Sequence, residues 1–244
     1  MSDKIIAPLR TDLSERLSAV RSATSGRAVF TTSFGLEDQA IAHVIFEGSY
    51  DIEVVTLDTG RLFAQTYALW AQTEARYGRR IRAFYPDGGM LERLVADQGI
   101  NGFHHGATAR KACCQIRKVE PLKRALAGAA LWITGLRAEQ SEARSGAPFL
   151  AQDSGFGVLK ANPLHDWTRD EVVAFTQAHD ILVNQLHANG FPSIGCAPCT
   201  RAVAPGEPER AGRWWWEQES AKECGLHVGP DGRLQRTAGA GAGA

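Results

Sequence analysis

The sequence predicts an α/β protein, a mostly parallel twisted sheet with helices on both faces. Three observations predict it. Short β-branched apolar runs alternate with longer segments of helical period. Several of those runs end in glycine- or proline-bearing turns, where a doubly wound sheet changes direction. The 244 residues, 44% of them apolar, can bury a sizeable core as one domain.

A first helix is predicted over Thr11 to Ser22, because Leu13, Leu17 and Val20 share one helical face. Ala28 to Thr32 reads as a strand and Gln39 to Phe46 as a helix. Ile52 to Asp58 is the second strand, followed by a helix from Phe63 to Tyr77 that Gly78 closes. Ile81 to Tyr85 is the third strand, stopped by Pro86, and Met90 to Gln98 a short helix. Ala109 to Ala127 is mostly helical, with a kink or break at Pro121. Leu131 to Thr134 is a fourth strand and Val158 to Ala161 a fifth. Thr168 to His179 is a helix whose capping box joins Thr168 to Glu171. From Pro205 the composition shifts to Pro, Gly, Arg, Trp and Glu, which reads as a surface segment.

The expected organisation is a nucleotide-binding body with a metal-centre site over 1–204, a mobile C-terminal segment over 205–237, and a disordered Gly/Ala tail over 238–244. The formal net charge of zero argues against a nucleic-acid partner. No apolar run approaches bilayer length. Met1 to Leu9 holds too short an apolar run for a secretory signal, so a reducing, cytoplasmic location is expected. Homo-oligomer formation is left open.

Five cysteines carry the strongest chemical signal. Cys113 and Cys114 are adjacent, Cys196 and Cys199 form a C-x-x-C pair around Pro198, and Cys224 stands alone. Two close pairs can hold a metal centre, and a fifth thiol near His227 can be a nucleophile that the histidine polarises. Adjacent helical residues point about 100° apart, which suits separate irons of a [4Fe-4S] cluster better than one tetrahedral ion. Zinc and a set of buried free thiols stay open as alternatives.

Three strand ends look like one crevice for an anionic nucleotide. The first holds Ser33 and Gly35 in Ser-Phe-Gly-Leu-Glu-Asp, where backbone N–H groups and a helix dipole would face the ligand. The second holds Leu57, Thr59 and Gly60 in Leu-Asp-Thr-Gly-Arg. The third opens at Gly135 in Gly-Leu-Arg-Ala-Glu-Gln-Ser and runs to Arg144.

Together with Cys-Cys-Gln-Ile-Arg-Lys from Cys113, Cys-Ala-Pro-Cys-Thr from Cys196 and Glu-Cys-Gly-Leu-His from Glu223, these motifs resemble the assimilatory adenylyl-sulfate/phosphoadenylyl-sulfate (APS/PAPS) reductase family over roughly residues 25 to 230. The resemblance implies an adenine-nucleotide alpha-hydrolase-like fold. Its two cysteine pairs are those of the iron–sulfur branch, which prefers adenylyl sulfate (APS). It implies a [4Fe-4S] cluster on Cys113, Cys114, Cys196 and Cys199, and Cys224 as the nucleophile that forms a cysteine S-sulfonate. Thioredoxin is the implied electron donor, external because the chain ends before a fused redox domain. Lys118, Arg144, Arg210 and Arg213 are the expected substrate cations, with bidentate arginine forks suited to phosphate and sulfate. The alternatives are PAPS reduction, a tRNA-thiolating or other sulfur-transfer enzyme of the same fold, and a zinc-stabilised binding module without catalysis. Against PAPS, the first two loops hold Glu37, Asp38 and Asp58 against the single cation Arg61. The run Trp214 to Trp216 is expected to anchor the tail on the body, and His104 and His105 receive no role.

Overall fold

The computed structural model describes residues 12–217. Six strands form one sheet: β1 (Arg27–Thr32), β2 (Glu53–Leu57), β3 (Arg82–Phe84), β4 (Ala129–Ile133), β5 (Leu150–Asp153) and β6 (Val158–Ala161). Their spatial order is β3-β2-β1-β4-β6-β5, with every pairing parallel except β5 against β6. The chain winds from β1 outwards to β3 and then crosses to the other side of β1 to lay down β4. The strand order therefore reverses at the β1/β4 boundary, where a doubly wound sheet opens a crevice at its carboxyl edge.

The helices are α1 (Leu13–Ser22), α2 (Leu36–Glu47), α3 (Ala64–Tyr77), α4 (Gly88–Gln98), α5 (Ala107–Cys114), α6 (Glu120–Ala125) and α7 (Arg169–Ala178). Leu13, Leu17 and Val20 bury the predicted face of α1, which Asp12 caps from outside. Gly78 closes α3 in the left-handed conformation, and Thr168 and Glu171 form the expected capping box on α7. One core lies between α1, α2, α7 and the sheet; a second, with Val29, Val55, Leu122 and Trp132, covers the opposite face. Helices on both faces are what strands buried on both sides require.

Three expectations are corrected. The strand at Val158 to Ala161 is the sixth, because Leu150 to Asp153 forms an antiparallel edge strand whose short, half-polar sequence gave no signal. The break in the long helix comes before Pro121: Gln115–Val119 is a π-helical turn, and Pro121 sits in the first turn of α6, where its missing N–H costs nothing. The residues after Pro205 are not all surface, because Ala211, Arg213 and Trp214 are buried.

Candidate active site

A cleft of about 190 Å3 opens at the carboxyl edge of the sheet, over the β1/β4 boundary. Ser33, Gly35, Leu57, Thr59, Lys118, Gly135, Arg144, Arg210 and Arg213 all line it, and so does Cys196. Of the ten residues expected at a substrate, Gly60 alone is absent from this lining. It takes a positive φ of 69° and turns its N–H onto the Asp58 carboxylate at 2.8 Å. Its role is to bend the loop, a task glycine performs without steric penalty.

The β1 loop differs from the expectation that its N–H groups face the ligand. The Asp38 carboxylate, in the first turn of α2, accepts from the Ser33 N–H at 2.6 Å and the Ser33 hydroxyl at 2.7 Å. An internal anion thus takes donors that a phosphate would otherwise use. Burial raises the Asp38 pKa to about 6, opposed by the Ser33 and Gly35 hydrogen bonds and reinforced by the neighbouring Glu37 charge. Gly135 packs directly on this carboxylate, and any β-carbon there would collide with it.

The four described cysteines gather at one end of the cleft, none of them in a disulfide, with Cys114, Cys196 and Cys199 buried. Cys196 and Cys199 pack with Phe103 and Trp214, and Cys113 lies against the same cluster. Two sets of bonds hold the C-x-x-C loop. Thr59 Oγ1 lies 3.3 Å from Cys196 Sγ, and the Ala197 N–H donates to the Arg61 carbonyl at 2.8 Å. Trp214 donates its backbone N–H to the Cys199 carbonyl at 3.1 Å.

The thiols feel one another and the cations around them. Burial pushes Cys199 up to about 12, helped by Cys196 and Cys114. Burial also raises Cys113, against the pull of Arg117. Burial alone would raise Cys196 too, but Lys118, the Thr59 hydroxyl, Arg213 and Arg117 together hold it below the ordinary thiol value.

Among the described residues, no three His, Cys, Asp or Glu side chains converge as one metal ion requires. The donor set fits a larger anionic group better. Two thiol pairs come from separate elements, and together they would supply the four thiolates that a [4Fe-4S] cluster takes. Arg117 and Arg213 are buried beside them, and the Nε of each has no hydrogen-bond partner among the described residues. Buried donors of this kind call for an acceptor.

Several contributors escaped the sequence reading. Arg117 is buried and donates to the Thr59 carbonyl at 2.6 Å, joining the π turn to the β2 loop. Arg137 is completely buried among three carboxylates. Trp214 is buried with the thiols, Trp216 packs on His104 at 4.2 Å between ring centroids, and Trp215 remains exposed. The tryptophan run thus anchors the chain, as expected, and it does so on the cysteine pocket itself. Arg137 stands inside the Gly135 motif, but its partners Glu37 and Glu209 lie far away along the chain, so no local pattern shows its role. Cys224 and His227 lie outside the described residues.

Comparison with known proteins agrees with this geometry. The profile of the phosphoadenosine phosphosulfate reductase domain matches residues 27–202. The adenosine 5′-phosphosulfate reductase of Sinorhizobium fredii (strain USDA 257) is 54% identical over 217 residues, which span 89% of this chain and 86% of that protein. The protein of the same name from Neisseria meningitidis (serogroup A, strain Z2491) is 44% identical and aligns over 93% of each chain. Among solved structures, the phosphoadenylyl-sulfate reductase of Candida auris in complex with phosphate superposes with a TM-score of 0.67 at 25% identity, covering 80% of this chain and 91% of that one. A domain profile that takes in the whole sheet, and relatives at half identity over most of the chain, make this chain a member of the phosphoadenosine phosphosulfate reductase domain family.

Proposed function

We infer that this chain is an oxidoreductase of sulfate assimilation that reduces APS to sulfite and AMP. The observation that carries the reading is one cleft. In it, three strand-end loops suited to a nucleotide meet Lys118, Arg144, Arg210 and Arg213, and Cys196 belongs both to this cleft and to the thiol pocket. The identity to proteins named adenosine 5′-phosphosulfate reductase supports it independently.

Cys113, Cys114, Cys196 and Cys199 would hold a [4Fe-4S] cluster. When bound, such a cluster supplies a compact, tunable charge beside the substrate's anionic end. The chain's own residues do the rest. Lys118 lies between thiol pocket and cleft and acts on Cys113, Cys196 and Cys199. Arg210 and Arg213 bring positive charge to the wall beside Cys196, where a phosphosulfate would place its oxygens.

Cys224 is the nucleophile in this scheme, with His227 polarising its thiol or orienting the substrate. The Cys224 thiolate attacks the APS sulfur, forming an S–S bond. The bond from sulfur to the phosphate oxygen breaks, and AMP leaves with its electron pair. A thioredoxin thiolate then attacks the Cys224 sulfur of the S-sulfonate. Sulfite departs with the electron pair, a mixed disulfide forms, and the second thioredoxin thiol resolves it. Thioredoxin leaves oxidised and Cys224 returns as a thiol. The site cations oppose the repulsion between a thiolate and an anionic substrate in the first step.

The test is a Cys224→Ser variant, with anaerobic turnover of APS by reduced thioredoxin. Sulfite formation should vanish while iron content and APS binding persist. Wild-type protein incubated with APS alone should gain the mass of one sulfonate on Cys224. Retained turnover in the variant rules out this role for Cys224.

A further inference from the structure

Arg210 and Arg213 reach the cleft from a segment with little regular structure, 205–217. Backbone bonds fix its far end: the Arg201 N–H donates to the Gly212 carbonyl at 3.0 Å, and Thr200 bridges Arg213. The near end is held by Glu207, which pairs with Arg201 at 2.8 Å, and Glu209, beside Arg210 in the middle, has an anchor of its own. Arg137 follows β4 and has no exposed surface. Its Nε donates to Glu37 at 2.6 Å, one terminal nitrogen donates to Glu139 at 2.9 Å, and the other reaches both Glu209 oxygens at 2.8 and 3.1 Å. Glu209 also faces the Arg169 guanidinium at 3.7 Å. Glu37 lies in the first turn of α2, and both it and Glu209 line the cleft.

One planar fork therefore bonds α2 and the 205–217 segment at once. Buried ionic networks give little net stability over an apolar core, since desolvation cancels most of the attraction. Their directional bonds do fix geometry, because a guanidinium meets carboxylates only in its own plane. A residue adjacent to such an anchor inherits its placement.

We propose that Arg137 is a positioning residue. Through Glu209 it holds the cationic segment, and Arg210 in particular, against the cleft, and through Glu37 it ties that segment to the nucleotide loop. The proposal rests on the APS-reductase reading for its kinetic consequence but not for its structural one.

The experiment uses full-length holoprotein and the variants Glu209→Ala, Glu209→Gln and Arg137→Lys, alone and combined with Arg210→Ala. Hydrogen exchange without substrate reads the latch directly. Peptides covering 209–214 should exchange about tenfold faster in Glu209→Ala, with β1 and β4 unchanged, since an opening local to one segment leaves the core protected. Glu209→Gln, which keeps an acceptor, should fall between. In turnover, Glu209→Ala should lower kcat/KM for APS by about tenfold, yet by less than about twofold when Arg210 is already alanine, because residues acting through one another are not additive. Arg137→Lys, with charge but no fork, should behave like Glu209→Ala. Unchanged exchange in 209–214, or losses that simply multiply in the double variant, would overturn the proposal. Wild-type protein that fails to turn over APS while 209–214 still loosens would refute the substrate and uphold the latch.

Discussion

Arg110 and Glu217 form a second buried ion pair, and its removal has a calculable cost. The Arg110 Nε and one terminal nitrogen bond the two Glu217 oxygens at 2.9 and 2.7 Å, with side chains 0% and 4% exposed. The guanidinium also lies over the Trp214 ring, 4.5 Å from its centroid. Arg110→Met keeps most of the volume and removes the charge, leaving the buried Glu217 carboxyl without its guanidinium partner. Breaking a buried pair in this way costs about 3–5 kcal/mol, to which the lost cation–π contact adds roughly 0.5–2 kcal/mol. A domain of this size loses about 2–4 °C per kcal/mol, so the apparent melting temperature should fall by roughly 7–28 °C. Adding Glu217→Met should restore more than half of that loss, because the stranded carboxyl is then gone. The assay is near-UV circular dichroism of holoprotein at one fixed scan rate, since irreversible unfolding makes the midpoint rate-dependent. A single variant melting within about 2 °C of wild type would refute the reasoning. A double variant as unstable as the single one would show that Arg110 acts through Trp214 instead.

Three further outcomes are expected. Replacing any of Cys113, Cys114, Cys196 or Cys199 by serine should lower iron and APS turnover together, and unchanged iron in all four variants would end the cluster assignment. Arg61→Ala should leave the preference for APS over its 3′-phosphorylated form unchanged in kcat/KM, because Arg61 turns away from the cleft onto the Ile100 carbonyl at 2.5 Å and the Asn101 side chain at 2.7 Å; a marked change in that preference would place Arg61 at the ribose. Asp38, with its pKa raised from 3.8 to about 6, binds its proton more tightly folded than unfolded. Its contribution is therefore present at low pH and lost as pH rises through about 6, so wild type should lose roughly 1.4 kcal/mol relative to Asp38→Asn between pH 5 and pH 8. Urea denaturation at the two pH values measures it, and a gap independent of pH would contradict the burial argument.

The fold was legible because its signals are local. Each buried strand announces itself by β-branched residues, and Gly78 and the Thr168–Glu171 box act within one turn of chain. The strand-end loops and cysteine pairs were legible for the same reason, being short motifs of unusual composition. What stayed hidden is non-local. The Arg137 network joins α2, the loop after β4 and the 205–217 segment, and no window of sequence contains it. Arg117 reads as an ordinary helical surface charge until the π turn directs it to the Thr59 carbonyl. The β5 edge strand pairs on one side only, so its composition is free to be mixed.

The assembly of the thiol pocket from distant pieces dictates a timetable. Cys113 and Cys114 emerge on a helix that can form early, whereas Cys196 and Cys199 reach them only after β4, β5, β6 and α7 have been laid down. Their loop is then pinned by Arg61, Thr59 and finally Trp214. Contacts of such sequence separation close last, once the local ones have lowered the entropy of closure. Iron and sulfide for the proposed cluster, delivered during synthesis, would therefore meet only half of its proposed ligands. Loading of the proposed cluster would then belong after the sheet is complete and before Trp214 packs on the thiols, and cells that overproduce the chain faster than they can supply such clusters should accumulate a folded body with an unfinished end.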